Sequence, residues 1–113
     1  LSLKSNKNII VTTGNNTPSV LSNTFKNNLI DKVNLIENIN FTELESIVNY
    51  SSLLISCHGA ISHVAAAKNI KQIDIIDKGY NYEKWTKHFR NYKCINRKSF
   101  NELSLEILNL NFI

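Results

Sequence analysis

The sequence predicts a three-layer α/β domain in which helices cover both faces of a parallel sheet of about five strands. Three observations lead there. Short apolar runs alternate with amphipathic stretches along the 113 residues. Those runs are rich in Ile, Val and Leu, as strands buried on both faces require. The connections are short and carry helix-start signals, which is the pattern of successive βαβ units.

Residues 8–13 form the first apolar, β-branched run, which ends at Gly14. Thr17 and Pro18 then offer a helix start with Pro at the first helical position, and Val20, Leu21 and Phe25 fall on one face. Residues 33–36 are the second run. After it, Asn40 can cap a helix with Glu43 reaching back and Ile39 stapling Leu44, or Thr42 can cap with Glu45. Both registers turn Leu44, Ile47 and Val48 toward a core.

Residues 53–56 are the third strand, followed by a turn at Gly59 and an Ala-rich helix through Lys68. Residues 73–77 are the fourth, with Asp74 out of place in a strand covered on both sides. Tyr82, Trp85 and Phe89 then recur at helical spacing, which places Trp85 and Phe89 in the core. Residues 92–95 make the fifth strand. Ser99 and Glu102 form a capping box before a last helix whose Leu103, Ile107 and Leu110 lie in a stripe. Strand–helix alternation with right-handed crossovers defines a Rossmann-like three-layer domain occupying residues 1–113.

Composition narrows the function classes. An apolar fraction of 42% excludes a disordered chain, and no apolar run approaches the ~18 residues of a membrane-spanning helix. The net charge of +4 comes from lysines spread along the chain. Nucleic-acid binders concentrate such charge on one face. Cys57 and Cys94 sit in or beside apolar runs and read as buried free thiols of a reducing cytosol. Together with His58, His63 and His88 they lack the spacing of a zinc site. The chain starts at Leu1 without an apolar signal core, so we expect a piece of a longer, two-domain protein.

In an open parallel sheet, ligands bind beyond the carboxyl ends of the strands. The loop after the third strand, residues 56–63, is the most informative. Gly59 lets the backbone approach a ligand, and the amides of Ala60, Ile61 and Ser62 at a helix start would cradle a phosphate. Ser62 can cap the helix or bond the anion, and His63 and His58 can donate to it. The alternative is a tight turn flanked by two half-exposed imidazoles. The loop after the first strand repeats the pattern with Thr13, Gly14 and Asn15, without the Lys of a phosphate-binding Walker loop. After the second strand, Ile39 and Phe41 offer an apolar surface to a nucleobase. Tyr80 and Tyr82 are further stacking candidates.

Residues 35–67, with their Phe41–Leu44 helix start, Gly59, His63 and the Ala65–Ala67 run, resemble the C-terminal half of GT-B glycosyltransferases. The likeness is greatest to the heptosyltransferase group, glycosyltransferase family nine. Gly59, His63 and the Ala run match that family's motif. Cys57 stands where the family has Asp, and one extra residue separates Gly59 from His63. The resemblance implies a domain that binds a nucleotide-diphosphate sugar, with the diphosphate at the Gly-containing helix start and no metal. It also implies an N-terminal GT-B domain carrying the acceptor site and catalytic base, transfer to a glycan or lipopolysaccharide-type acceptor, and a cytoplasmic location, peripheral at the inner face of the membrane. Two other classes remain beside it: an α/β hydrolase or amidase with Cys57 as nucleophile, and a non-catalytic nucleotide-binding module.

Overall fold

The computed structural model describes residues 8–13, 33–77, 79 and 82–110, and the chain divides into two compact units, residues 1–44 and 45–113. Gly14, Asn15, Tyr80 and the helix expected after Pro18 lie outside the described residues.

In the first unit, β1 (Ile9–Thr12) pairs in parallel with β2 (Val33–Ile36), Ile9 opposite Val33 and Thr12 opposite Ile36. Thr13 ties off the ladder. Its N–H donates to Ile36 O at 3.1 Å, and its carbonyl accepts from Ile39 N at 2.9 Å. The boundary between units falls inside helix α1 (Phe41–Asn49). Of the two cap registers the sequence allows, the chain takes the first. Glu43 N donates to Asn40 Oδ1 at 2.8 Å, and Asn40 N donates to Glu43 Oε1 at 3.4 Å. Val48 is buried, while Leu44 and Ile47 are half-buried.

The second unit contains β3 (Leu54–Cys57), α2 (Ala60–Ala67), β4 (Gln72–Ile76), α3 (Glu83–Thr86), β5 (Tyr92–Asn96) and α4 (Phe100–Asn109). Its sheet has the order β3-β4-β5, all parallel, with Ser56 opposite Asp74 and Asp74 opposite Cys94. Paired residues in a ladder share a sheet face. One face is therefore apolar: Ile73 and Ile95 pack with Leu103 and Ile107 of α4, joined by Leu53, Ile55, Ile75 and Leu110. Each such side chain contributes about 1.5–3 kcal/mol on full burial. The other face carries Ser56, Gln72, Asp74 and Tyr92, and α2 covers it through Ser62.

The protein is thus α/β with parallel strands. All five expected strands form, but they make a two-stranded and a three-stranded sheet rather than one sheet of about five. Among the described residues the ladder hydrogen bonds close within each unit: β1 pairs only with β2, and β3 only with β4.

Local signals hold α2 and α4 in place. Ser99 Oγ accepts from Glu102 N at 3.4 Å, as its spacing predicts. Helix α2 ends in a left-handed Asn69 (φ 55°), with Asn69 N bonded to Ala66 O and Ile70 N to Ala65 O. That is a Schellman-type stop with Asn in the usual glycine position.

Two burial expectations are corrected. Trp85 is 55% exposed rather than core, because α3 has only four residues and a single turn presents no continuous apolar face. Cys57 and Cys94 are exposed rather than buried: Cys57 is the last residue of β3, and Cys94 lies on β5, which among the described residues has a ladder partner on one side only. Among the described residues, no helix is long and apolar enough to cross a membrane.

Candidate functional site

The site is built around Asp74, the residue that the strand pattern leaves unexplained. Its side chain is fully buried at the middle of β4. An isolated buried carboxylate costs several kcal/mol, so it persists only where donors surround it. Three do. His58 Nδ1 lies 2.5 Å from Asp74 Oδ2, Tyr92 OH donates to the same oxygen at 2.7 Å, and Ser62 Oγ donates to Oδ1 at 2.9 Å.

Each donor is delivered by a separate element. The ladder continues one residue past β3 through His58 N to Ile75 O at 3.0 Å, which sets His58 at the carboxyl end of the sheet. Tyr92 comes from the start of β5. Ser62 comes from the first turn of α2, where its hydroxyl also accepts from Gly59 N at 3.2 Å, and its N–H donates to Gly59 O at 3.0 Å. Gln72 Nε2 fastens the same turn by donating to Ser62 O at 3.0 Å.

A chain of rings borders this network. Tyr82 and His58 have centroids 4.6 Å apart, His58 and His63 5.5 Å, His63 and Phe89 5.3 Å, and Phe89 and Tyr92 5.3 Å. His58 is 13% exposed at its side chain. Nδ1 faces Asp74, and Nε2 has no hydrogen-bond partner among the described residues. Ser56 Oγ, opposite Asp74 on the same face, is buried without a partner among the described residues.

The residues that the sequence singles out distribute as follows. Gly59 takes an extended backbone (φ 177°) before α2, and a Cβ there would meet nothing within 4 Å. The amides of Ala60 and Ile61 stand at positions without an intrahelical acceptor. Ser62 has its N–H bonded to Gly59 O and its side chain fully buried, so it supports the turn from beneath. His63 is exposed and also lines an open groove of about 440 Å³ with His88, Phe89 and Arg90. Thr13, Ile39 and Phe41 belong to the first unit. Thr13 Oγ1 accepts from Asn38 N at 3.3 Å, Ile39 is half-buried, and Phe41 is 47% exposed. Cys57 stands beside the Arg97 guanidinium, which donates to Asp77 Oδ1 at 2.6 Å. Asp77 and that contact hold Arg97 protonated.

Asp74 and Tyr92 are the residues that sequence reasoning missed. The signal was the alternation of Gln72 and Asp74 in β4, which marks a polar sheet face.

Burial, and next the hydrogen bond to Asp74, push the Tyr92 phenol well above its ordinary value. A group whose pKa is raised by folding contributes stability that is intact below its unfolded value, about 10 for tyrosine, and is lost as pH rises toward the folded value. We therefore expect urea stability to fall more steeply above pH about 10 in the wild type than in Tyr92→Phe. Parallel profiles would show that Tyr92 carries no linkage.

Comparisons with protein-family models, with curated proteins and with solved structures find no match to this chain.

Proposed function

We propose that the chain is the donor-binding part of a glycosyltransferase, a Rossmann-like domain that holds a nucleotide-diphosphate sugar at the turn between β3 and α2. The observation that carries this reading is the convergence of two kinds of phosphate donor at one turn. The Ala60 and Ile61 amides stand at the positive end of α2. The His58 imidazole precedes them, fixed by the buried Asp74, and His63 follows. Amides and imidazoles so held can stabilise the charge that develops on a diphosphate leaving group.

The short side chains of Ala65–Ala67 support the same reading, since Ala65 is fully buried and lets α2 lie close to the sheet. So does the resemblance of residues 35–67 to the nucleotide-binding half of GT-B enzymes. A lipopolysaccharide-type acceptor and a partner N-terminal domain follow from that resemblance alone.

The test is a thermal-shift panel of UDP-, ADP-, GDP-, TDP- and CMP-sugars. One nucleoside-diphosphate sugar is expected to raise the melting temperature with saturating dose dependence. No shift with any member at millimolar concentration would reject the reading.

A further inference from the structure

We infer that the segment running from α3 toward β5, residues 84–90, is a docking surface for an anionic lipid bilayer, with Trp85 entering the interface and Lys84, Lys87 and Arg90 meeting the headgroups. This contact goes beyond the donor-binding reading and does not depend on it.

Lysines are spread along the chain, but the carboxylates that balance them are not. Residues 84–93 hold four of the 13 Lys and Arg and none of the nine Asp and Glu, so this stretch alone carries a formal charge equal to that of the whole chain, +4. Lys84, Lys87, Arg90 and Lys93 are all exposed. Among the described residues, Lys87, Arg90 and Lys93 form no ion pair. A surface of one sign attracts partners of the other.

The fold turns this patch outward. Thr86, the buried residue of α3, donates its hydroxyl to Tyr82 O at 3.0 Å, and the Tyr82 ring packs on His58. With those two residues directed inward, Trp85 is left 55% exposed, and Lys84 Nζ lies 5.2 Å from its ring centre. Phe89 adds no second open ring, being half-buried with its ring set edge-to-face against His63, His88 and Tyr92. The open groove beside it has His88 and Arg90 in its wall and no carboxylate, which suits a lipid phosphate. One amphipathic ring among cations fits a headgroup layer, the ring at the apolar boundary and the cations at the phosphates. A single-stranded nucleic acid would call instead for a row of open rings, and in this segment Trp85 stands alone. Because Tyr82 touches His58, docking through α3 brings the β3–α2 turn close to the bilayer.

The chain contains one tryptophan, so its fluorescence reads Trp85 alone. The experiment adds the chain to vesicles of phosphatidylcholine, or of equal parts phosphatidylcholine and phosphatidylglycerol, and follows emission and co-sedimentation together. On the anionic vesicles the expected result is a blue shift, quenching by brominated acyl chains, and binding that weakens as salt rises. Neutral vesicles are expected to bind about tenfold or more weakly. Lys87→Gln and Arg90→Gln should each lose about fivefold in affinity for the anionic vesicles, and Trp85→Ala should weaken co-sedimentation. All three side chains are exposed, and an unchanged circular dichroism spectrum checks that each variant is folded. Failure to co-sediment with anionic vesicles, equal binding to neutral ones, or binding that leaves Trp85 unshifted and unquenched would each overturn the inference. So would tighter binding of a polythymidine strand that quenches Trp85 and is weakened by the same variants, which would assign the surface to nucleic acid. Vesicle binding is read without any nucleotide, so its failure is distinct from a failure of the donor-binding reading.

Discussion

Asp74→Ala is expected to cost the protein about 3 kcal/mol, since a buried donor left without an acceptor costs about 1–3 kcal/mol and the buried Ser62 hydroxyl and the half-buried His58 and Tyr92 donors lose theirs at once. The stability of small domains is itself only about 5–15 kcal/mol, so the variant sits at the edge of folding. Asp74→Asn separates hydrogen bonding from charge. Its carbonyl can face His58 and Tyr92 while its amide faces Ser62, whose hydroxyl turns to accept. That variant should lose only about 1–2 kcal/mol. Urea unfolding of the three proteins checks the order. Equal stability of Asp74→Ala and wild type would mean that the network is not formed in solution.

Gly59→Ala is expected to do the opposite, leaving the fold nearly untouched and damaging binding. The backbone at Gly59 is extended, which any residue adopts, and the added methyl would meet nothing within 4 Å. Alanine is a poorer residue than glycine before a helix, and it restricts the unfolded chain, so the net stability change stays within about 1 kcal/mol. In the proposed complex the diphosphate packs against the backbone of this turn, and the added methyl competes with it for that space. Nucleoside-diphosphate affinity should therefore drop about tenfold or more, a loss of about 1.4 kcal/mol or greater. Titration calorimetry on folded wild type and variant reads this directly. Unchanged affinity would place the ligand elsewhere.

The contrast between these variants reflects how much of the molecule local sequence could disclose. All five strands were legible because β-branched apolar runs announce themselves. The caps at Asn40 and Ser99 were legible because donor and acceptor stand three residues apart. The Asp74 network was not. His58 and Tyr92 lie 16 and 18 residues from it, and only the β3-β4-β5 register brings them together. An Asp in an apolar strand predicts that donors must exist, without saying which. Trp85 misled for a different reason: helical spacing was present, but the helix is one turn long. The turn at Gly59 was legible from the glycine and the helix start that follows it, and the structure adds the buried carboxylate that holds the neighbouring His58 imidazole.

The most direct measurement is amide chemical-shift mapping of the labelled chain with the nucleoside diphosphate that performs best in the thermal panel, on wild type and Gly59→Ala. The expected result is that the largest saturable shifts fall on Ala60 and Ile61, with His58 and His63 next to them, and that the variant abolishes them. Saturable shifts confined to residues remote from the β3–α2 turn would contradict the diphosphate site proposed there.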